Sequence, residues 1–149
     1  MLQDKSRLVF PWAGYIYDAF EPCAYTLTRV ALGAILMPHG FDKLFKGGAA
    51  KTAGNPILKI FGDSLAGAYF IGCVEFFGGL LLVLGLLTRL AAGAVIIQMF
   101  VISVFVLWPN WGWTNRGMEY AVFMMLIGVS IFIRGGGPCS LDAKLPKEL

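Results

Sequence analysis

Residues 64–87 read SLAGAYFIGCVEFFGGLLLVLGLL, and Glu75 is the single charged residue among them. A helix needs about 20 mostly apolar residues to cross the hydrocarbon core of a bilayer, so this stretch predicts a membrane span. Residues 90–108, LAAGAVIIQMFVISVFVLW, predict a second, with Gln98 as the polar residue inside it. Only Thr88 and Arg89 separate the two, so the spans are expected to be antiparallel neighbours joined by a very tight turn. Working outward, residues 22–41 predict a span containing Arg29 and His39, and residues 117–133 predict one that opens near Glu119. The expectation is an all-α integral membrane protein: an up-and-down bundle of four spans.

The connecting segments agree. Residues 42–63 hold Lys43, Lys46, Lys51 and Lys59 in a Gly-rich stretch. Asn55-Pro56 reads there as an N-cap and first helical position, starting a short interfacial helix with Ile57, Leu58, Ile60 and Phe61. Residues 108–116, WPNWGWTNR, are rich in Trp, which prefers the headgroup level. The aromatic stretch 10–20 reads the same way. The expected division is an interfacial N-terminal segment 1–21, a four-span bundle 22–134 and a tail 135–149. The first 20 residues have no clean apolar run and no small-residue cleavage site, so targeting is expected to come from the first span.

Composition limits the function classes. The chain has 149 residues, 58% hydrophobic and 14% charged, whereas a soluble domain carries about 25% charged residues. The net charge of +3 is small, and the basic residues are scattered over loops and tails. No nucleic-acid-binding stripe results. Cys23, Cys73 and Cys139 stand far apart with no C-x-x-C, so neither a thiol relay nor a zinc pair is expected. Orientation is weakly marked. Lys5, Arg7, Arg89, Arg134, Lys144 and Lys147 fall on the side of the termini, against Lys43, Lys46, Lys51, Lys59 and Arg116 on the other. That small excess leans towards cytoplasmic termini.

Ionisable groups inside a span are costly and face partners in the bundle interior. Arg29 is expected to pair with Glu75 near mid-depth. Glu75 shares its helical face with Ala68, Gly72, Gly78 and Gly79, and small residues let helices approach closely. Gln98 shares a face with Ala91 and Ala94 and reads as an interhelical hydrogen-bond donor. His39 and Glu119 end up on the same side of an up-down bundle and could meet at its mouth, with Arg116 competing for Glu119. The candidate site residues are therefore Arg29, His39, Glu75, Gln98 and Glu119. Two readings of them stay open: a ligand or proton-handling site, or a lock that only fixes helix register. With a single His, no metal or haem site is expected.

The stretch RVALGAILMPHGFDKLF, residues 29–45, resembles the first-span signature of the DoxX family. So does EFFGGLLLVLGLLTRLAAG, residues 75–93, with its Gly-Leu-x-Thr-Arg turn. The last span, opening with Glu119 and closing in RGGGPCSLDAKL, is also similar, down to the Ser140-Leu141-Asp142 that follows the glycines. The aromatic extension 8–20 and Cys139 depart from the family pattern. The resemblance implies a four-span, multi-pass protein of the bacterial inner membrane, in a family that includes subunits linked to quinol oxidation and thiosulfate:quinone oxidoreduction.

Two functions follow as expectations. In the first, the chain binds a quinone or similar lipophile within a membrane oxidoreductase complex, with Arg29, His39, Glu75 and Gln98 around the head group. The chain has no flavin, haem or iron–sulfur motif, so it would be at most a subunit, and electrons would come from a partner. No intrinsic cofactor is expected, and quinone is the one this reading brings in. In the second, the chain is a non-catalytic accessory or assembly subunit of a larger membrane complex, docked through its aromatic extension and Trp-rich loop.

Overall fold

The computed structural model describes residues 8–146, and among them there are helices and turns but no strand. Helix α1 spans Ala13–Phe45 and the short α2 Gly48–Thr52. A 3-10 turn follows over Pro56–Phe61. Helices α3, Ser64–Leu84, and α4, Thr88–Leu107, are long and apolar enough to cross a membrane. Helix α5 covers Glu119–Arg134. Each long helix packs on the next in chain order, and α5 returns to touch α1.

Local chemistry sets the boundaries. Asn55 Oδ1 accepts the Ile57 N–H at 3.1 Å, with Pro56 in the first position, as the sequence suggests. Asp63 Oδ1 accepts the Leu65 N–H at 2.8 Å and starts α3, satisfying one of the donors that every helix N-terminus leaves free. At its other end α3 stops at Gly85, whose φ of +65° lies in the left-handed region that glycine adopts without penalty. Both α3 and α4 depart from α geometry. Val74–Gly78 in α3 and Ile102–Leu107 in α4 are π-helical.

Glycines fix how α1 meets α3. A Cβ on Gly40 would fall 2.7 Å from the Gly72 carbonyl oxygen, and one on Gly79 would fall 2.7 Å from that of Gly33. Both obstacles are backbone, so neither position accepts even a methyl group without the helices moving apart. The two contacts lie seven residues apart on each antiparallel helix and set its register. Gly33 is level with Gly79, and Gly40 with Gly72. Around this seam Leu32, Leu36, Leu82, Val95, Met99 and Ile131 form the buried core. A second, smaller cluster of Ala49, Leu58 and Ala68 holds the 46–63 excursion against α3.

Two boundaries differ from those expected. Residues 13–21 are the first turns of α1, continuous with the stretch expected to begin at residue 22, and the helix is about 50 Å long by the 1.5 Å rise. Pro22 removes one backbone donor but does not end the helix. Thr88 and Arg89 do not form the turn either. Residues 85–87 do, and Thr88 is the first residue of α4. Lys5, Arg7 and Lys147, used in weighing orientation, lie outside the described residues.

Candidate functional site

The polar residues inside the bundle sort into two groups, and neither is the expected Arg29–Glu75 pair. Register explains why. Level with Gly79 lies Gly33, so Arg29 stands opposite Val83, while Glu75 stands opposite Met37. Eight residues along α1 separate the two levels, roughly 12 Å. The apolar pattern of residues 22–41 gives the depth of Arg29 within its own helix but not the level of α3 that it faces, which the register alone decides.

Arg29 is 1% exposed. Its guanidinium donates to the carbonyls of Leu82 and Val83, the latter at 3.1 Å, and to Cys139 O at 2.8 Å. The last carbonyls of a helix have no partner within it and carry its negative dipole end. Arg29 caps α3 from another helix. On the other side of the same turn, Asp142 caps α4. Its carboxylate accepts the Leu87 N–H at 2.7 Å and the Thr88 N–H at 2.9 Å. Backbone bonds from Leu141 N to Leu84 O and from Asp142 N to Gly85 O tie the tail to the turn. Tyr25 donates its hydroxyl to Gly135 O. Residues 135–142 are thus a strap that closes this end of the bundle. Burial alone would raise the Asp142 carboxyl, but the Thr88 hydroxyl beside it, the two backbone donors and the Arg29 charge hold it below the ordinary carboxylate value.

The second group is built around Glu75, which is buried in the π turn of α3. Lys43 Nζ meets Glu75 Oε2 at 2.7 Å, and Gln98 Nε2 donates to Glu75 Oε1 at 2.8 Å. Lys43 Nζ also lies 3.4 Å from the His39 carbonyl oxygen. Three helices therefore contribute: α1 gives the cation, α3 the carboxylate and α4 the amide. The charges cancel within the group. Gln98 acts as the interhelical donor expected of it, while its Oε1 is buried without a hydrogen-bond partner.

These three residues line the inner end of a cavity of 610 Å³ between α3 and α4. Its wall is mostly apolar, including Phe70, Val74, Ile97, Val101 and Val106, and the 46–63 excursion covers one end with Lys51, Thr52, Asn55 and Ile57. Both π-helical turns contribute to the lining. A π turn adds a residue to a helix and re-aims the side chains around it, and such turns are frequent at functional sites. The volume falls within the usual 300–1,000 Å³ range of small-molecule sites.

His39 and Glu119 are not brought together. His39 is exposed. Glu119 is exposed at the start of α5 and accepts the Trp113 N–H at 3.2 Å rather than pairing with His39 or Arg116. Neither lines the cavity. Lys43 falls outside the span expected to end at residue 41, whereas α1 runs four residues further, to Phe45. The seven-residue step from Leu36 to Lys43 was the available signal that this cation lies on the buried face of α1. Among the described residues no three His, Cys, Asp or Glu side chains gather as a metal-ligand group.

The family model described as DoxX matches residues 24–108, more than half of the chain. The chain belongs to the DoxX family. DoxX proteins are membrane proteins, and this member is accordingly membrane-associated, in contact with the lipid bilayer. An uncharacterised protein of Haemophilus influenzae is 27% identical over 135 residues, covering 88% of this chain and 97% of that protein. No solved structure matches. The part of the DoxX chain matched by the family model holds Arg29, His39, Lys43, Glu75 and Gln98, whereas Glu119 and the strap lie beyond it.

Proposed function

We propose that this DoxX protein crosses the bacterial inner membrane four times and binds a quinone or similar lipophile as a subunit of a membrane oxidoreductase complex. The observation that carries the reading is the cavity itself. It is mostly apolar and flanked by the two membrane-length helices, with a charge-balanced Lys43–Glu75–Gln98 group at its inner end. A quinone head needs a few hydrogen-bonding groups in an apolar slot open to lipid. When bound, a quinone supplies a two-electron, two-proton carrier. The chain's own residues do the rest: Gln98 orients a head group, Glu75 holds or releases a proton at its carboxylate oxygens, and Lys43 balances the Glu75 charge. Electrons come from a partner protein, since the chain carries no redox-cofactor motif.

The test is purification from native membranes in mild detergent, followed by extraction of bound lipophiles. Wild type should retain quinone, and Ala94→Phe, which places a ring in the cavity, should lose most of it while remaining folded. Equal quinone content in the two proteins would refute the reading. The accessory-subunit alternative has its own supporting observation. Arg29 and Asp142 are ionisable residues whose bonds go to backbone groups of the 82–88 segment and the strap, which is a structural role. On that reading the protein co-purifies with a larger complex and brings no quinone.

A further inference from the structure

The two ends of the cavity differ in what their polar groups have left to offer. At the covered end, the Thr52 hydroxyl donates to Gly48 O at 3.0 Å, and Asn55 Oδ1 accepts the Ile57 N–H at 3.1 Å. Those oxygens serve the local turns, and the other polar groups there, the Asn55 side-chain N–H2 and the Lys51 ammonium, are donors. At the inner end, the Glu75 carboxylate takes one bond from Lys43 and one from Gln98 Nε2 and keeps further lone pairs, while Gln98 Oε1 is wholly enclosed. A ligand that brings a hydroxyl or N–H to the inner end can bond the remaining lone pairs of the carboxylate, a charge-assisted hydrogen bond. An alkyl chain placed there would leave them unused.

Charge narrows the ligand further. Lys43 and Glu75 cancel at 2.7 Å, and their side chains are only 16% and 6% exposed. A cationic or anionic head would add an unbalanced charge to this buried neutral group, which is strongly unfavourable away from water. The flank of the cavity carries Ile60, 70% exposed, and Ile97, 67% exposed. Side chains of this kind on a membrane-length helix and its covering turn face acyl chains, so the flank opens to lipid.

We propose that the cavity takes an uncharged amphiphile whose hydroxyl- or N–H-bearing head points inward to Gln98 and Glu75. Its chain trails out past Ile97 and Ile60 into the leaflet on the Lys51 side. Lys43 is the specificity-determining residue, because it keeps the inner end neutral. The proposal rests on the reading that this cavity binds a lipophile, and it adds the head group's charge class, its hydrogen-bonding sense and its direction.

Three photoaffinity probes test it, each a decyl chain with a diazirine next to the head and either a hydroxyl, a carboxylate or a trimethylammonium as the head. The full chain in lipid nanodiscs is irradiated with each probe, and the labelled peptides are mapped by mass spectrometry. The hydroxyl probe should label the 74–78 turn and the region of Gln98, at concentrations about tenfold or more below those the charged probes need, a margin that corresponds to about 1.4 kcal/mol. In Lys43→Met the trimethylammonium probe should overtake the hydroxyl probe, since Glu75 is then unbalanced. Lys43→Arg should keep the wild-type order. Head-group labelling at Ile60 and Phe70 instead, or a carboxylate probe as effective as the hydroxyl one, would overturn the proposal while leaving a lipophile site in place. Labelling of no cavity residue by any probe would overturn both. The wild-type ranking decides the matter even if Lys43→Met fails to fold.

Discussion

Removing both Lys43 and Glu75 should destabilise the protein by clearly less than the sum of the losses on removing each alone. The two side chains meet at 2.7 Å with little exposure. Loss of one partner from a buried pair costs about 3–5 kcal/mol, because it strands a charge in a low-dielectric interior. The lower end applies to Lys43→Met, since Gln98 still donates to Glu75. For a chain of this size, about 3 kcal/mol corresponds to a melting temperature lower by roughly 6–12 °C. Glu75→Gln should lose a similar amount, and the double variant should recover about 2 kcal/mol relative to the sum of the single losses. Intrinsic tryptophan fluorescence in detergent reads the transitions. The parallel cycle of Arg29→Met with Glu75→Gln is the control. Those residues sit at levels roughly 12 Å apart, so their losses should add to within about 0.3–0.5 kcal/mol. Additive losses in the Lys43 cycle, or strong coupling in the Arg29 cycle, would refute the register derived from the glycine seam.

Asp142→Ala removes two backbone hydrogen bonds from the start of α4 and should lower stability by about 1–3 kcal/mol, with faster proteolysis after Arg134 as a second readout. The folded carboxyl lies below its ordinary value, so this contribution is complete above the unfolded pKa and is lost as pH falls through the folded one. The melting temperature should therefore fall in the acid range more steeply in wild type than in Asp142→Ala, and parallel pH profiles would contradict the assignment. Gly40→Leu should disrupt the α1–α3 contact and sharply reduce folded yield, because the side chain would enter the Gly72 backbone. Normal yield and melting would show that the contact is not tight. Single-cysteine labelling in sealed vesicles should place Lys51→Cys and Trp111→Cys on one side and Arg89→Cys and Lys144→Cys on the other. Labelling of positions 51 and 89 from the same side would exclude four spans.

The helices themselves were legible in the sequence. Long apolar runs separated by Gly, Pro and Lys placed α3, α4 and α5 to within a few residues, and the small residues around Glu75 marked a face that does pack closely. Register was not legible. A shift of two turns between α1 and α3 preserves every hydrophobic and small-residue pattern in the sequence, yet it decides whether Arg29 or Lys43 reaches Glu75. Only the paired contacts of Gly33 with Gly79 and Gly40 with Gly72 fix it, and which glycines oppose one another is a tertiary fact. The strap was half legible. Ser140-Leu141-Asp142 stood out as a motif, but its bonds to residues 84–88 span more than fifty positions. The π turn at Glu75 left no local mark that distinguishes it from ordinary helix.

A role for this protein in binding a lipophile depends on the cavity beside Glu75 and Gln98. Equilibrium titration of the purified protein in nanodiscs with a decyl-substituted benzoquinol held in its reduced form, with empty nanodiscs to subtract partitioning, measures this directly. Wild type should show one saturable site per chain, and Ala94→Phe should lose it. Binding that never saturates above the empty-disc background, or a saturable site that Ala94→Phe leaves intact, would contradict that role.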